Sequence, residues 1–248
     1  MEHTNIFQKS KWVWEHKERK NSYVGAYKKL LLNSSPEKIT ISLFADTHYK
    51  LYLNGQFVNA GPAPFAKPII MADTYDITPF LKKGNNDIFI FAHFLGVTVK
   101  YNKVDHPGII ASINGICQNK TKVAEYTGVS WQIFPIKAWT ENTPKKNWAL
   151  GFIEEVDLNS SSYAVLQAYA TEDYGDPDNK KPPVAEFAKL VETPKCRQLG
   201  NLTVRNRIVP YLRWEKEEPM VIKEIFRDNP KVYLLNDTIR LDNEYLQP

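Results

Sequence analysis

No feature of this chain constrains its folding more than the run Lys38–Gly61, KITISLFADTHYKLYLNGQFVNAG, in which an Asn-Gly pair separates two alternating segments. Ile39, Ile41 and Leu43 fall on one face of an extended chain, and so do Leu51 and Leu53, with Lys50 and Tyr52 on the opposite face. Asn54 and Gly55 both tolerate the positive φ of a type I′ turn, so the second half of the run reads as a β-hairpin. Pro62, Pro64 and Pro68 then break strand pairing after Gly61. Asp76, in the stretch YDIT, stands where a carboxylate can brace the turn before Pro79, and Gly84 with Asn85 supplies another turn. A structural role accounts for Tyr52, Asn54, Gly55, Gly61, Pro62 and Asp76 without any ligand.

Further strands are expected at Asp87–Leu95, Gly108–Ile116, Tyr163–Ala170 and Asn201–Val209, with turn-rich segments between them. The pattern reads as an all-β fold, an antiparallel jelly-roll β-sandwich. Helical spacing is scarce; the one candidate is PPVAEFAKLVE, residues 182–192. The 248 residues, 43% of them hydrophobic, are enough for one large core. The texture changes near Glu215, so residues 1–215 are read as the sandwich. Residues 216–248 are read as a linker, or as the opening of a following β segment.

The charge of +4, from 32 basic and 28 acidic residues without a basic block, argues against nucleic acid as a partner. No apolar run reaches the length of a membrane span, and the start MEHTNIFQKSKWVW has no secretory-signal pattern. Cys117 and Cys196 are far apart and read as unpaired thiols, with a disulfide as the alternative.

Taken in order, ADTHYKLYLNGQFVNAGPA, DTYDITPFLKKGNNDI, HFLG, VSWQIFPIKAW and RNRIVPYLRWEKEEP resemble the N-terminal β-sandwich region of bacterial α-L-rhamnosidases and related glycoside hydrolases. The tryptophan-free stretch 159–195 departs from the family's pattern. The resemblance implies a galactose-binding-like accessory domain that supports an inverting catalytic barrel, the catalytic domain being its partner. It also implies a periplasmic or extracellular site of action.

No catalytic residue is expected in the chain itself. Glycoside hydrolysis needs two carboxylates facing one bond, and adjacent strand residues such as Glu154 and Glu155 point to opposite faces. No Gly-x-Ser-x-Gly or phosphate loop is present, and His48, His93 and His106 lie on separate elements. Sugar contact is a separate matter, because aromatic rings stack on pyranoses while polar neighbours bond the hydroxyls. The candidates are Trp131, Trp139, Trp148, Trp214, His48 and Asp46, with core packing the competing role for each tryptophan. No cofactor or metal is expected; EDYGDPDN offers calcium-type oxygen ligands but reads as a solvated loop. Two other classes fit the same residues. A free-standing carbohydrate-binding module predicts saturable sugar binding, and a structural or adhesion sandwich predicts none.

Overall fold

The alternation of β-branched and aromatic residues is realised as two packed sheets in the computed structural model. It describes residues 6–100, 105–174 and 189–214, together with the backbone of 233–235 and 238–240. The strands are β1 (Trp12–Trp14), β2 (Ser22–Leu32), β3 (Pro36–Asp46), β4 (His48–Leu53), β5 (Gln56–Gly61), β6 (Ile69–Asp76) and β7 (Gly84–Phe94). They continue with β8 (Gly108–Cys117), β9 (Lys122–Tyr126), β10 (Gln132–Ile136), β11 (Lys195–Arg197) and β12 (Thr203–Asn206). One sheet has seven strands in the order β11-β1-β8-β3-β6-β12, with β9 also on β8; the other has five, β10-β2-β7-β4-β5. A separate antiparallel hairpin joins β13 (Tyr233–Leu235) and β14 (Thr238–Arg240).

The facing surfaces of the sheets form the aliphatic core. Ile39, Ile41 and Leu43 of β3 and Ile109, Ala111 and Ile113 of β8 meet Leu51 and Leu53 of β4 and Ile88 and Ile90 of β7. The hairpin follows its sequence reading closely: β4 and β5 pair antiparallel, and Asn54 and Gly55 have φ of 53° and 85°. The Asp76 carboxylate accepts from the Thr78 N–H at 3.0 Å, bracing the turn before Pro79 as expected. Pro62 opens the connection from β5 to β6.

Three departures have physical causes. Tyr163–Tyr169, expected as a strand, is helix α1. Its buried side chains, Val165 and Leu166, lie on one helical stripe, and Ala, Leu and Gln favour the helix. A four-residue helix α2 (Thr171–Tyr174) follows. Strand β12 is shorter than expected and pairs parallel to β6, unlike the antiparallel pairs elsewhere among the described residues of the two sheets. The chain re-enters there after a long excursion, which a parallel pair requires. Strand β2, although eleven residues long, was not legible as a strand. Gly25 and the Lys28-Lys29 pair interrupt its alternation, and Tyr23 and Tyr27 make its second face apolar as well.

That second apolar face is general. On the outer side of the five-stranded sheet, Tyr23, Tyr27, Tyr52, Phe89, Phe91 and Phe134 pack under α1 and the segment around Trp139. Outside the seven-stranded sheet, Phe44, Ile70 and Ile110 are covered by Phe7, Trp12 and Phe65. Of the expected helix over 182–192, residues 182–188 lie outside the described residues, while Lys189 and Leu190 are helical. Both cysteines are free. Cys196 pairs with Val13, which pairs with Ile109 at the far end of β8 from Cys117. The eight steps of strand from 109 to 117 span roughly 26 Å, far beyond disulfide reach.

Candidate functional site

Two clusters of buried tyrosines stand out. The first closes the sandwich edge between β5 and β6. Asp73, inward-facing on β6, is fully buried. Its Oδ1 pairs with the Arg207 guanidinium at 3.0 Å, and its Oδ2 accepts from the Tyr49 hydroxyl. The hydroxyls of Tyr49 and Tyr75 are 2.8 Å apart. Gly61 allows this approach, since a Cβ there would collide with the Asp73 carboxylate and the Tyr49 phenol. Burial raises the Asp73 carboxyl above its ordinary range, against the pull of Tyr49 and Arg207.

Arg207 also donates to the carbonyls of Val209 and Pro210 and lies 4.6 Å over the Tyr211 ring. The Tyr211 hydroxyl accepts from Thr74 N–H and donates to Thr74 C=O. Trp214 Nε1 donates to Asn59 Oδ1 at 3.0 Å, and its ring meets Phe57 edge-on. The segment after β12 is therefore a strap fastened to both sheets at one edge, through Asp73 and Thr74 of β6 and Asn59 of β5. Ile208 and Leu212 face outward, Ile208 with 87% exposure.

The second cluster lies on the outer face of the five-stranded sheet. Trp139 is buried against Tyr23 (5.0 Å between ring centres) and Phe91 (5.2 Å), and its Nε1 donates to Glu154 Oε2 at 3.1 Å. Tyr163 and Tyr174, both half-buried, meet each other edge-on at 6.2 Å beside Trp139. Tyr23 stacks flat on His93 at 3.9 Å. The Asn21 amide nitrogen donates to the Thr140 and Glu141 carbonyls, so Asn21 Oδ1 accepts from His93 Nε2 at 2.9 Å. Burial holds the His93 imidazole well below its usual range, which keeps it neutral with Nδ1 as an acceptor. His48 lies opposite His93 across the β4–β7 pair, and burial lowers it to about 4.

Helix α2 ties this layer to the hairpin. Thr171 Oγ1 and Glu172 N–H both donate to the Gly55 carbonyl, Phe57 N–H donates to Glu172, and Tyr52 donates to Asp173 at 2.7 Å. The Asn-Gly turn is thus a dock for a helix, which its own residues do not announce.

The other candidates are dispersed. Trp131 is buried in the inner core with its Nε1 on the Tyr126 carbonyl, which takes it away from any surface a sugar can reach. Asp46 is fully buried and held by Lys67 at 2.6 Å, with Lys67 also on Asp105 at 2.8 Å, so its carboxylate serves an ion pair. Trp148 stands 77% exposed at the tip of the 144–153 loop, apart from both clusters. Tyr23 and Tyr174 were not singled out from sequence, and Glu154 was weighed there only as half of an adjacent carboxylate pair; among the sugar-binding candidates only Trp139 marked their neighbourhood. Among the described residues no group of three or more His, Cys, Asp or Glu is placed to hold a metal, and residues 175–179 of EDYGDPDN lie outside them. None of the described helices is long and apolar enough to cross a membrane.

No family model matches the chain, and no curated protein matches it in sequence. Its fold does have close counterparts. The GH78-family rhamnosidase of Bacillus sp. GL1 superposes with a TM-score of 0.65 over 82% of this chain and 20% of its own, at 20% identity. The α-L-rhamnosidase of Dictyoglumus thermophilum superposes with a TM-score of 0.59 over 82% of this chain and 22% of its own, at 14% identity. The chain thus spans about one fifth of these enzymes' length. What it has in common with them is an all-β sandwich, the fold of one part of an α-L-rhamnosidase.

Proposed function

We propose that the chain is the non-catalytic N-terminal accessory sandwich of a glycoside hydrolase of α-L-rhamnosidase type acting on plant or complex polysaccharides. On this reading it is a galactose-binding-like jelly roll, it works in the periplasm or outside the cell, and its partner is the enzyme's catalytic barrel. The observation that carries the reading is the strap. A buried ion pair and two aromatic anchors, Tyr211 and Trp214, fix the direction in which the chain leaves the sandwich, as a domain that orients a neighbour requires. Two experiments test it. The chain by itself is expected to leave an aryl α-L-rhamnoside untouched, and turnover above background would overturn the non-catalytic role. Sequencing the source gene past the codon for Pro248 is expected to find a long helical region with spaced acidic residues, and a stop codon at that point would remove the enzyme partner.

The outer-face cluster favours a second reading, a sugar-binding module acting on its own. The two differ in the gene experiment, since only the module is compatible with a stop after Pro248.

A further inference from the structure

Tyr23 is a buried tyrosine whose polar end is left unmatched. Its side chain is only 6% exposed, yet its hydroxyl makes no hydrogen bond among the described residues. The oxygen is not sealed: among the described residues, the closed-off side-chain polar atoms without a partner are Trp14 Nε1 and Arg19 Nε. A buried phenol without a partner costs free energy unless water or a ligand takes its hydrogen bond. Trp139, stacked on Tyr23, donates to the Glu154 carboxylate and meets the Tyr174 ring edge-on, which brings both groups to the neighbourhood of Tyr23. Burial pushes the Tyr23 phenol well above its usual range, and Glu154 and Tyr174 add to the push. Tyr23 therefore stays a neutral donor at any physiological pH.

The surroundings match one ligand chemistry. Glu154 already accepts from Trp139, which aims its carboxylate and leaves acceptor capacity on both oxygens. Lys50 Nζ, paired with Asp173 at 3.6 Å, donates to the Tyr174 hydroxyl at 3.3 Å and so helps to hold that phenol in place. Tyr163 and Tyr174 provide half-buried aromatic walls. Clustered donors and acceptors beside aromatic rings suit a ligand with several hydroxyls on a partly apolar frame.

We propose that the cluster of Tyr23, Glu154, Tyr163 and Tyr174 beside Trp139 binds a neutral monosaccharide unit, with the Tyr23 hydroxyl and the Glu154 carboxylate holding adjacent sugar hydroxyls. This rests on the sugar-related part of the reading above and gives it a location. Glu154 accepts from a sugar O–H, Tyr23 donates to a neighbouring sugar oxygen, and the ring faces cover the sugar's C–H side.

The test is calorimetric titration of the whole chain with L-rhamnose and with D-galactose, repeated on Tyr23→Phe and Glu154→Gln. Tyr23→Phe removes one oxygen and keeps the stacking; Glu154→Gln keeps an acceptor for Trp139. Each variant is expected to weaken binding about tenfold or more, the equivalent of one lost hydrogen bond to a sugar hydroxyl. Thermal melts confirm that each variant is folded. Absence of binding by the native chain, or unchanged affinity in both variants, overturns the site. Loss of binding in Trp148→Ala with Tyr23→Phe unaffected moves the sugar to the exposed loop tip and overturns it as well. None of these outcomes touches the accessory role, which the gene and turnover experiments decide separately.

Discussion

The Tyr49 hydroxyl donates to Asp73 and meets Tyr75, while the Tyr23 hydroxyl, almost as deeply buried, has no such partner among the described residues. Tyr49 belongs to a closed circuit in which each polar group is matched and Arg207 neutralises the carboxylate. The Tyr23 cluster has the same ingredients, phenols and a carboxylate, but Glu154, Tyr163 and Tyr174 remain half-buried and the circuit stays open. Satisfied polar groups rigidify a fold, and unsatisfied ones at the rim of a groove are where something else can bind.

The contrast can be broken most forcefully at Arg207. Arg207→Ala leaves Asp73 buried without a counter-charge, and a loss of about 3–5 kcal/mol is expected in urea unfolding. Faster proteolysis within 207–214 is expected to accompany it; a loss below 1 kcal/mol would mean the strap is a loose surface contact. Tyr49→Phe is the next largest, costing about 1–3 kcal/mol because Asp73 loses a donor it cannot replace. Gly61→Ala should fall in the range of about 1–3 kcal/mol, the usual cost of overpacking, as the new methyl displaces the Asp73 carboxylate.

A pH series probes the open cluster without mutation. His48 and His93 are held below the ordinary imidazole value, so the folded state binds fewer protons than the unfolded one once pH drops below about 6.5. Their contribution to stability is complete above that pH and is lost on acidification as His48 approaches about 4. The urea midpoint should therefore start falling near pH 6.5, and His48→Gln should make the fall shallower; an unchanged slope in that variant would show that His48 does not contribute. Below the ordinary carboxylate range a separate loss sets in. Against the upward push of burial, Lys195 and His106 hydrogen bonds and the Arg197 and Lys195 charges draw Glu18 down to about 2. The smallest effect is Tyr23→Phe, expected within about 0.5 kcal/mol of the native chain, since no protein hydrogen bond is lost. The same atom removed from Tyr49 and from Tyr23 would then have unequal consequences, a clear loss at one and almost none at the other, and equal costs would erase the distinction between the clusters.

Local chemistry made the hairpin legible: Asn54-Gly55 dictates its turn, and the face assignment of Leu51 and Leu53 against Lys50 and Tyr52 follows from a period of two. The inner core was readable for the same reason. Strand β2 was not, because a strand covered on both faces loses its alternation. Helix α1 reads as a strand in the sequence because its seven residues are too few to show a helical period against a tyrosine-rich background. The site was the least legible part. Tyr23 and Glu154 are separated by 131 residues (154 − 23), and Asp73 and Arg207 by 134, so their meeting is a product of tertiary packing. The four tryptophans proposed as platforms divide accordingly, with Trp131 and Trp139 buried and Trp148 and Trp214 exposed.

The parallel pairing of β12 with β6 has a mechanical consequence. Its four register pairs, Thr203–Ile69 to Asn206–Ala72, lie along the direction in which the chain runs on toward the strap. Tension applied beyond Trp214 first meets the Asn59, Thr74 and Asp73 anchors and then loads β12 lengthwise. The ladder bonds are then sheared together instead of being peeled one at a time. Such an attachment transmits a pull into the whole seven-stranded sheet, as a tether does when its anchor must bear load in one direction.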